Sequence, residues 1–173
     1  CIERLRNNGH VAIAIDSRSA SSSKFILNVV QHIFNKYDDL IKMYSSKIIS
    51  GYEGVVKCLE EVSISLQQEN RLLVIFFDQI ENLFFKQEIL RNIRDIFLKI
   101  CDKELNIVFG FSWKTDFVGL MSEFPYELRD SIVSQSRKII LNIFSEQETN
   151  FLLDKLSNEI KTQLRKDLRF FLL

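Results

Sequence analysis

Asp78 follows six consecutive apolar residues, Leu72-Leu73-Val74-Ile75-Phe76-Phe77, and Glu81 stands three positions further on. A short, continuously apolar run reads as a buried strand. It would deliver one carboxylate to the strand's carboxyl end and set a second just beyond it. A magnesium ion that holds phosphates needs only one or two carboxylates, because water and phosphate oxygens complete its octahedron. Hydrolysis needs, in addition, a group that orients or deprotonates the attacking water. Asp78 suits the first task, and Gln79 or Glu81 the second. The spacing suits a purely structural role equally well: Asp78 capping the next helix, with Glu81 reaching back as its capping-box partner. The pattern alone leaves both open.

Other polar groups fall at comparable places. Asp16-Ser17-Arg18 ends the apolar run Val11–Ile15, and Ser112-Trp113-Lys114-Thr115-Asp116 ends the run Asn106–Phe111. In open α/β sheets, ligands bind beyond the carboxyl ends of the strands, so these groups and the segment after Ile143 are candidates. Arg129 and Arg137 precede a further strand candidate, Lys138–Ile143. His10 and His32 are isolated, which argues against metal or nucleophile chemistry. Trp113 and the neighbouring Phe76, Phe77, Phe84 and Phe85 read as core.

The elements that must position these groups follow from periodicity. Residues 1–8 read as a helix end stopped by Gly9. Strands are expected at 11–15, 72–77 and 106–111, with a fourth at 138–143. Between them come helices with stripes at Phe25, Ile26, Val29, Val30, Ile33 and Phe34, at Val55, Leu59, Val62 and Leu66, and at Ile89, Ile93, Ile96 and Ile100. Residues 44–54 read as a loop and 117–135 as short helices. Ser145-Glu146-Gln147-Glu148 has the form of a capping box and opens a last helical region with Leu152, Leu156, Ile160 and Leu164. Alternating strands and helices imply crossover units and a mainly parallel sheet. The expected fold is α/β: three layers, αβα, over residues 1–143, followed at 144–173 by the start of a helical lid.

Composition narrows the classes. The 173 residues are 46% hydrophobic and 27% charged, with Lys+Arg and Asp+Glu balanced at 23 each. That balance gives no bulk argument for nucleic acid or an anionic membrane. Five glycines and one proline are too few for a disordered or turn-rich all-β chain. Six apolar residues in a row fall far short of the roughly 20 a membrane span requires. Cys1, Cys58 and Cys101 are far apart, without a Cys-x-x-Cys pair. A disulfide framework or zinc site is not expected, and the default setting is the reducing cytoplasm.

Leu72 to Phe84, reading LLVIFFDQIENLF, resembles the Walker B segment of STAND-type P-loop NTPases, relatives of the AAA+ ATPases. The order of the surrounding segments is similar over roughly residues 1–160: Asp16-Ser17-Arg18 before it, a polar strand end at Ser112–Asp116, and a Ser-x-x-Glu helix at Ser145. The resemblance implies ATP and Mg²⁺ as ligands. Asp78 would be the metal-coordinating aspartate, and Glu81 or Gln79 the residue near the attacking water. Ser112, Lys114, Asp116 and Arg137 would be nucleotide contacts. It further implies a conformational switch that forms homo-oligomers and works with further domains of the same chain.

The sequence departs from that pattern in one large respect. No G-x-x-x-x-G-K-[ST] occurs, and none of the glycines at 9, 51, 54, 110 and 119 supplies a phosphate-cradling turn ahead of a helix. The expectation is a piece of a longer protein whose first strand and phosphate loop precede Cys1. The alternative is a non-catalytic α/β interaction scaffold with a degenerate nucleotide site. On either account the 173-residue chain binds ATP poorly by itself. Isothermal titration with ATP and Mg²⁺ should show no micromolar site, and a micromolar constant would contradict an incomplete phosphate cradle.

Overall fold

The computed structural model describes residues 2–36, 51–114, 126–141 and 144–161. They divide into two compact units, residues 1–136 and 137–173. The first unit runs α1 (Ile2–Asn7), β1 (Val11–Asp16), α2 (Phe25–Lys36), α3 (Gly51–Gln68), β2 (Leu73–Asp78), α4 (Gln87–Asp102), β3 (Ile107–Phe111) and α5 (Tyr126–Ser134). Single 3₁₀ turns follow β1 and β2, at Ser17–Ser19 and Ile80–Leu83.

The three strands form a parallel sheet in the order β1-β2-β3, with Val11 opposite Leu73 and Leu73 opposite Ile107. The fold is therefore α/β, a parallel sheet flanked by helices. Side chains alternate across a strand. The register thus places Val11, Ile13, Leu73, Ile75, Phe77, Ile107 and Phe109 on one face. All of them are buried in a single core together with the apolar stripes of α2, α3 and α4. Right-handed crossovers that step the same way across a sheet put their helices on the same side. Both crossovers here step from β1 toward β3, which accounts for one thickly covered face.

The opposite face carries Ala12, Ala14, Val74, Phe76, Val108 and Gly110. The helix α1 packs against β1, and the Arg6 Nε–H donates to the Ala12 carbonyl at 2.8 Å. Ala14 is exposed, Phe76 half-buried and Val108 45% exposed. The Phe76 ring lies over Gly110, where an added Cβ would fall 2.5 Å from its Cδ2 atom.

Several expectations need correction. Residues 138–141 form no strand, and 142–143 lie outside the described residues. The loop expected over 44–54 is cut short because α3 begins at Gly51, where φ is +72°; residues 44–50 lie outside the description. Phe85 is 67% exposed and so is no core residue, whereas Phe77 and Phe84 are buried. Gly9 ends α1 at φ +84°, as its place after the apolar pair Ile2 and Leu5 requires.

In the second unit, residues 137–141 are irregular and α6 spans Glu146–Ile160. Ser145 and Glu148 close the expected capping box, each accepting the other's backbone N–H. Leu153 is buried, while Leu152 and Leu156 of the expected stripe are exposed.

The close approach of Phe76 to Gly110 yields a stability test. Gly110→Ala is expected to destabilise by about 1–3 kcal/mol, the usual cost of overpacking. Combined with Phe76→Ala, the added cost should largely vanish. Urea unfolding of the two single variants and the double variant measures this, and strict additivity would contradict the predicted clash.

Candidate functional site

β2 is paired on both sides, so its carboxyl end is the middle of the sheet's rim. Asp78 lies opposite Asp16 of β1. On the other side, pairing continues past β3: the Ser112 N–H donates to the Phe77 carbonyl at 3.0 Å, and the Ser112 carbonyl accepts the Ile80 N–H at 2.9 Å. The Ser112 hydroxyl donates to Asp78 Oδ1 and accepts the Gln79 N–H at 3.0 Å. By the alternation of β1 and β2, Asp16 and Asp78 belong to the thinly covered face. The rim of that face therefore reads Asp16, Asp78, Ser112, three oxygen-bearing side chains in a row.

Gln79 makes the turn out of β2 in the left-handed region, at φ 54° and ψ 49°. That conformation costs a non-glycine residue roughly 1–2 kcal/mol. The Gln79 carbonyl accepts from the Asn82 backbone and side-chain N–H groups at 3.1 and 2.8 Å, which helps hold the turn. Gln79, not Asp78, is the cap of the 3₁₀ turn, and its side chain makes no capping bond. The capping box weighed for Asp78 and Glu81 does not form, because the Asp78 carboxylate takes the Ser112 hydroxyl across the sheet.

Glu81 lies in that 3₁₀ turn, only 8% exposed, and among the described residues its Oε2 atom has no hydrogen-bond partner. The turn after β1 packs against the turn after β2, and the buried Ser17 hydroxyl in it likewise lacks a partner among the described residues. A buried carboxylate without a donor is costly, so Glu81 stands out among the polar groups near the rim.

Asp16 is held by Arg18. The Arg18 Nε–H reaches Oδ1 and Oδ2 at 3.0 and 2.9 Å, Nη2 reaches Oδ2 at 2.6 Å, and the Arg18 backbone N–H adds a bond to Oδ1 at 3.0 Å. The Arg18 side chain holds the Asp16 carboxyl below the usual carboxylate range, its backbone N–H helping. In turn Asp16, and to a lesser degree Asp78, raise the Arg18 guanidinium. No role for Arg18 was assigned from the sequence. Its signal was the Asp-x-Arg spacing, which allows a side chain to fold back on the carboxylate two residues earlier.

The remaining candidates are more scattered. Lys114 is exposed just past β3. Asp116 lies outside the described residues, and Arg137 belongs to the second unit, in the irregular stretch before α6. Arg129 pairs with Asp130 and sits over the Tyr126 ring at 5.0 Å. The His10 Nδ1 accepts the Leu72 N–H at 3.3 Å, a structural use. Among the described residues no group of three or more His, Cys, Asp and Glu side chains is arranged to hold a metal. A cavity of about 480 Å³ at the N-terminal ends of α2 and α3 includes none of the rim residues in its lining.

No family model matches the sequence, and no curated protein matches it. Among solved structures the chain is similar to the Aeropyrum pernix Orc1 protein in complex with DNA, at 15% identity and a TM-score of 0.48. That alignment covers 91% of this chain and 37% of the other, so the chain spans little more than a third of that protein's length.

The Arg18–Asp16 pair gives a pH test. A carboxyl whose folded pKa is depressed stabilises the fold above its unfolded pKa and loses that contribution as pH falls through the folded value. Arg18→Ala should return Asp16 to the usual carboxylate range. NMR titration of the Asp16 side-chain carboxyl measures the change, and an unmoved midpoint would refute the pairing in solution.

Proposed function

We propose that this chain is the nucleotide-responsive core of a STAND- or AAA-like P-loop NTPase, a switch that binds and hydrolyses ATP with Mg²⁺. The observation that carries the reading is Asp78: an exposed carboxylate at the carboxyl end of the central parallel strand, fixed through one oxygen by Ser112. Among the described residues no hydrogen bond reaches its Oδ2 atom. The donor set fits a phosphate-bound magnesium ion, which takes one or two carboxylates, and does not suit a cation held wholly by protein ligands. When bound, Mg²⁺ would neutralise charge on the transferred phosphoryl group.

The chain's own residues would then divide the work. Asp78 offers the free oxygen to the cation. Glu81, enclosed and lacking a donor at Oε2, is ready to accept a hydrogen bond from a water admitted beside it; Gln79 at the turn is the other residue placed for that task. Lys114, Asp116 and Arg137 are assigned to the nucleotide, Ser112 to the same strand-end site through its bond to Asp78, and residues 144–173 to a lid. Homo-oligomerisation on activation, further domains in the same polypeptide and a cytoplasmic setting belong to the same reading. It takes its support from the sequence pattern of Leu72–Phe84 together with the parallel rim.

A second reading, a non-catalytic α/β interaction scaffold, draws on a different observation. Glu81 is closed off from solvent, and no described turn offers glycine-rich N–H groups to a phosphate. Turnover decides between the two. In the full-length protein, Asp78→Asn is expected to lower Mg²⁺-dependent ATP hydrolysis at least 100-fold. Glu81→Gln should slow hydrolysis while ATP stays bound. ATPase assays with filter retention of labelled ATP check both. Unchanged turnover in Glu81→Gln rejects its role with water, and absence of any Mg²⁺-dependent turnover in the wild-type protein favours the scaffold.

A further inference from the structure

A serine hydroxyl has one proton to donate and two lone pairs to accept with. In this structure the Ser112 proton goes to Asp78 Oδ1, and one lone pair takes the Gln79 N–H at 3.0 Å. The hydroxyl therefore has no donor left for a phosphate oxygen, and it could provide one only by releasing Asp78. Its own backbone is fixed as well, through the Phe77 carbonyl and the Ile80 N–H. Four hydrogen bonds thus tie one residue at the end of β3 to four consecutive residues, Phe77 to Ile80, at the end of β2.

From this geometry we infer that Ser112 is a positioning residue for Asp78, not a contact of the nucleotide's terminal phosphate. The role rests on reading Asp78 as the carboxylate that faces the metal. Ser112 takes one lone pair of Oδ1 and so orients the carboxylate, leaving Oδ2 as the oxygen with no donor among the described residues. It also removes the alternative use of Asp78: without the hydroxyl, the carboxylate is free to turn toward the N–H groups of the 3₁₀ turn that follows and cap it. The Gln79 N–H bond makes the arrangement self-consistent, because the left-handed turn that carries β2 out of the sheet is held by the same oxygen that orients the acid.

The test uses the ¹⁵N-labelled full-length protein with a non-hydrolysable ATP analogue bound, titrated with Mn²⁺, a paramagnetic stand-in for Mg²⁺, with line broadening of backbone amides as the readout. In the wild type the amides of 78–80 and 112 should broaden first. Ser112→Ala should raise the Mn²⁺ concentration for half-broadening at least fivefold. Ser112→Thr, which keeps the hydroxyl, should stay within twofold of wild type, a rescue that a merely structural loss would not give. Should Ser112→Ala fail to fold, Ser112→Cys, with its weaker donor, takes its place with the same expected loss.

Asp78→Asn separates the two layers of the argument. If it abolishes the broadening while Ser112→Ala leaves it unchanged, the positioning role is overturned and the metal reading of Asp78 stands. If the wild-type protein with the analogue bound shows no broadening at the rim, the metal reading fails and the positioning role falls with it.

Discussion

Hydrogen-bonded pairing on both flanks of β2 is the constraint on which the rest of the first unit depends. A central parallel strand must satisfy its backbone through two neighbours at once. Here Val11–Asp16 and Ile107–Phe111 do so in unbroken register. The register decides which residues share a face, and so which side chains meet α2, α3 and α4. It also decides that Asp16 and Asp78 end up side by side and that Ser112 comes within reach of Asp78. The rim is a by-product of strand pairing carried one residue past the last apolar position.

The two faces of the sheet are unequal for a topological reason. Both crossovers step in the same direction, so their helices accumulate on one side. Phe77, Phe97, Phe109 and Phe111 pack there as an aromatic cluster with ring centroids 5.4 to 6.3 Å apart. Large side chains fill this layer in a chain that has only three alanines, at 12, 14 and 20. Two of the three, Ala12 and Ala14, lie on the opposite face. Beside them, the Phe76 ring fills the space that a Cβ at Gly110 would take.

Much of this architecture was legible in the chain. The runs Val11–Ile15, Leu72–Phe77 and Asn106–Phe111 became strands because apolar residues on consecutive positions suit a strand covered from both sides. The stripe Phe25 to Phe34 became a buried helix face because its spacing keeps one side apolar. The run Lys138–Ile143 has the same local character, yet residues 138–141 lack a ladder: a strand needs a neighbour, and no local pattern shows whether one is available. Phe85 failed as a core residue for a related reason. It lies at the tip of the turn after β2, where the chain points outward whatever the side chain prefers.

The site was legible in part. The order of residues brought Asp78 and Ser112 to strand ends, but only the fold could show that the serine proton is committed to the aspartate. Nor could spacing show that Glu81 is enclosed, since the same three-residue interval also fits a capping box at a helix start. Arg18 was visible as part of a short motif, while its bidentate hold on Asp16 depends on a backbone that doubles back in a 3₁₀ turn.

The register has a consequence for the order in which the chain gathers itself. Leu73 is 34 positions from its partner Ile107 and 62 from its partner Val11, so joining β2 to β3 closes the shorter loop. The entropic difference is about 0.5 kcal/mol in favour of the β2–β3 half. The aspartate and the serine that fixes it both lie within that half, so the central part of the rim can assemble before β1 arrives to bring Asp16 and Arg18.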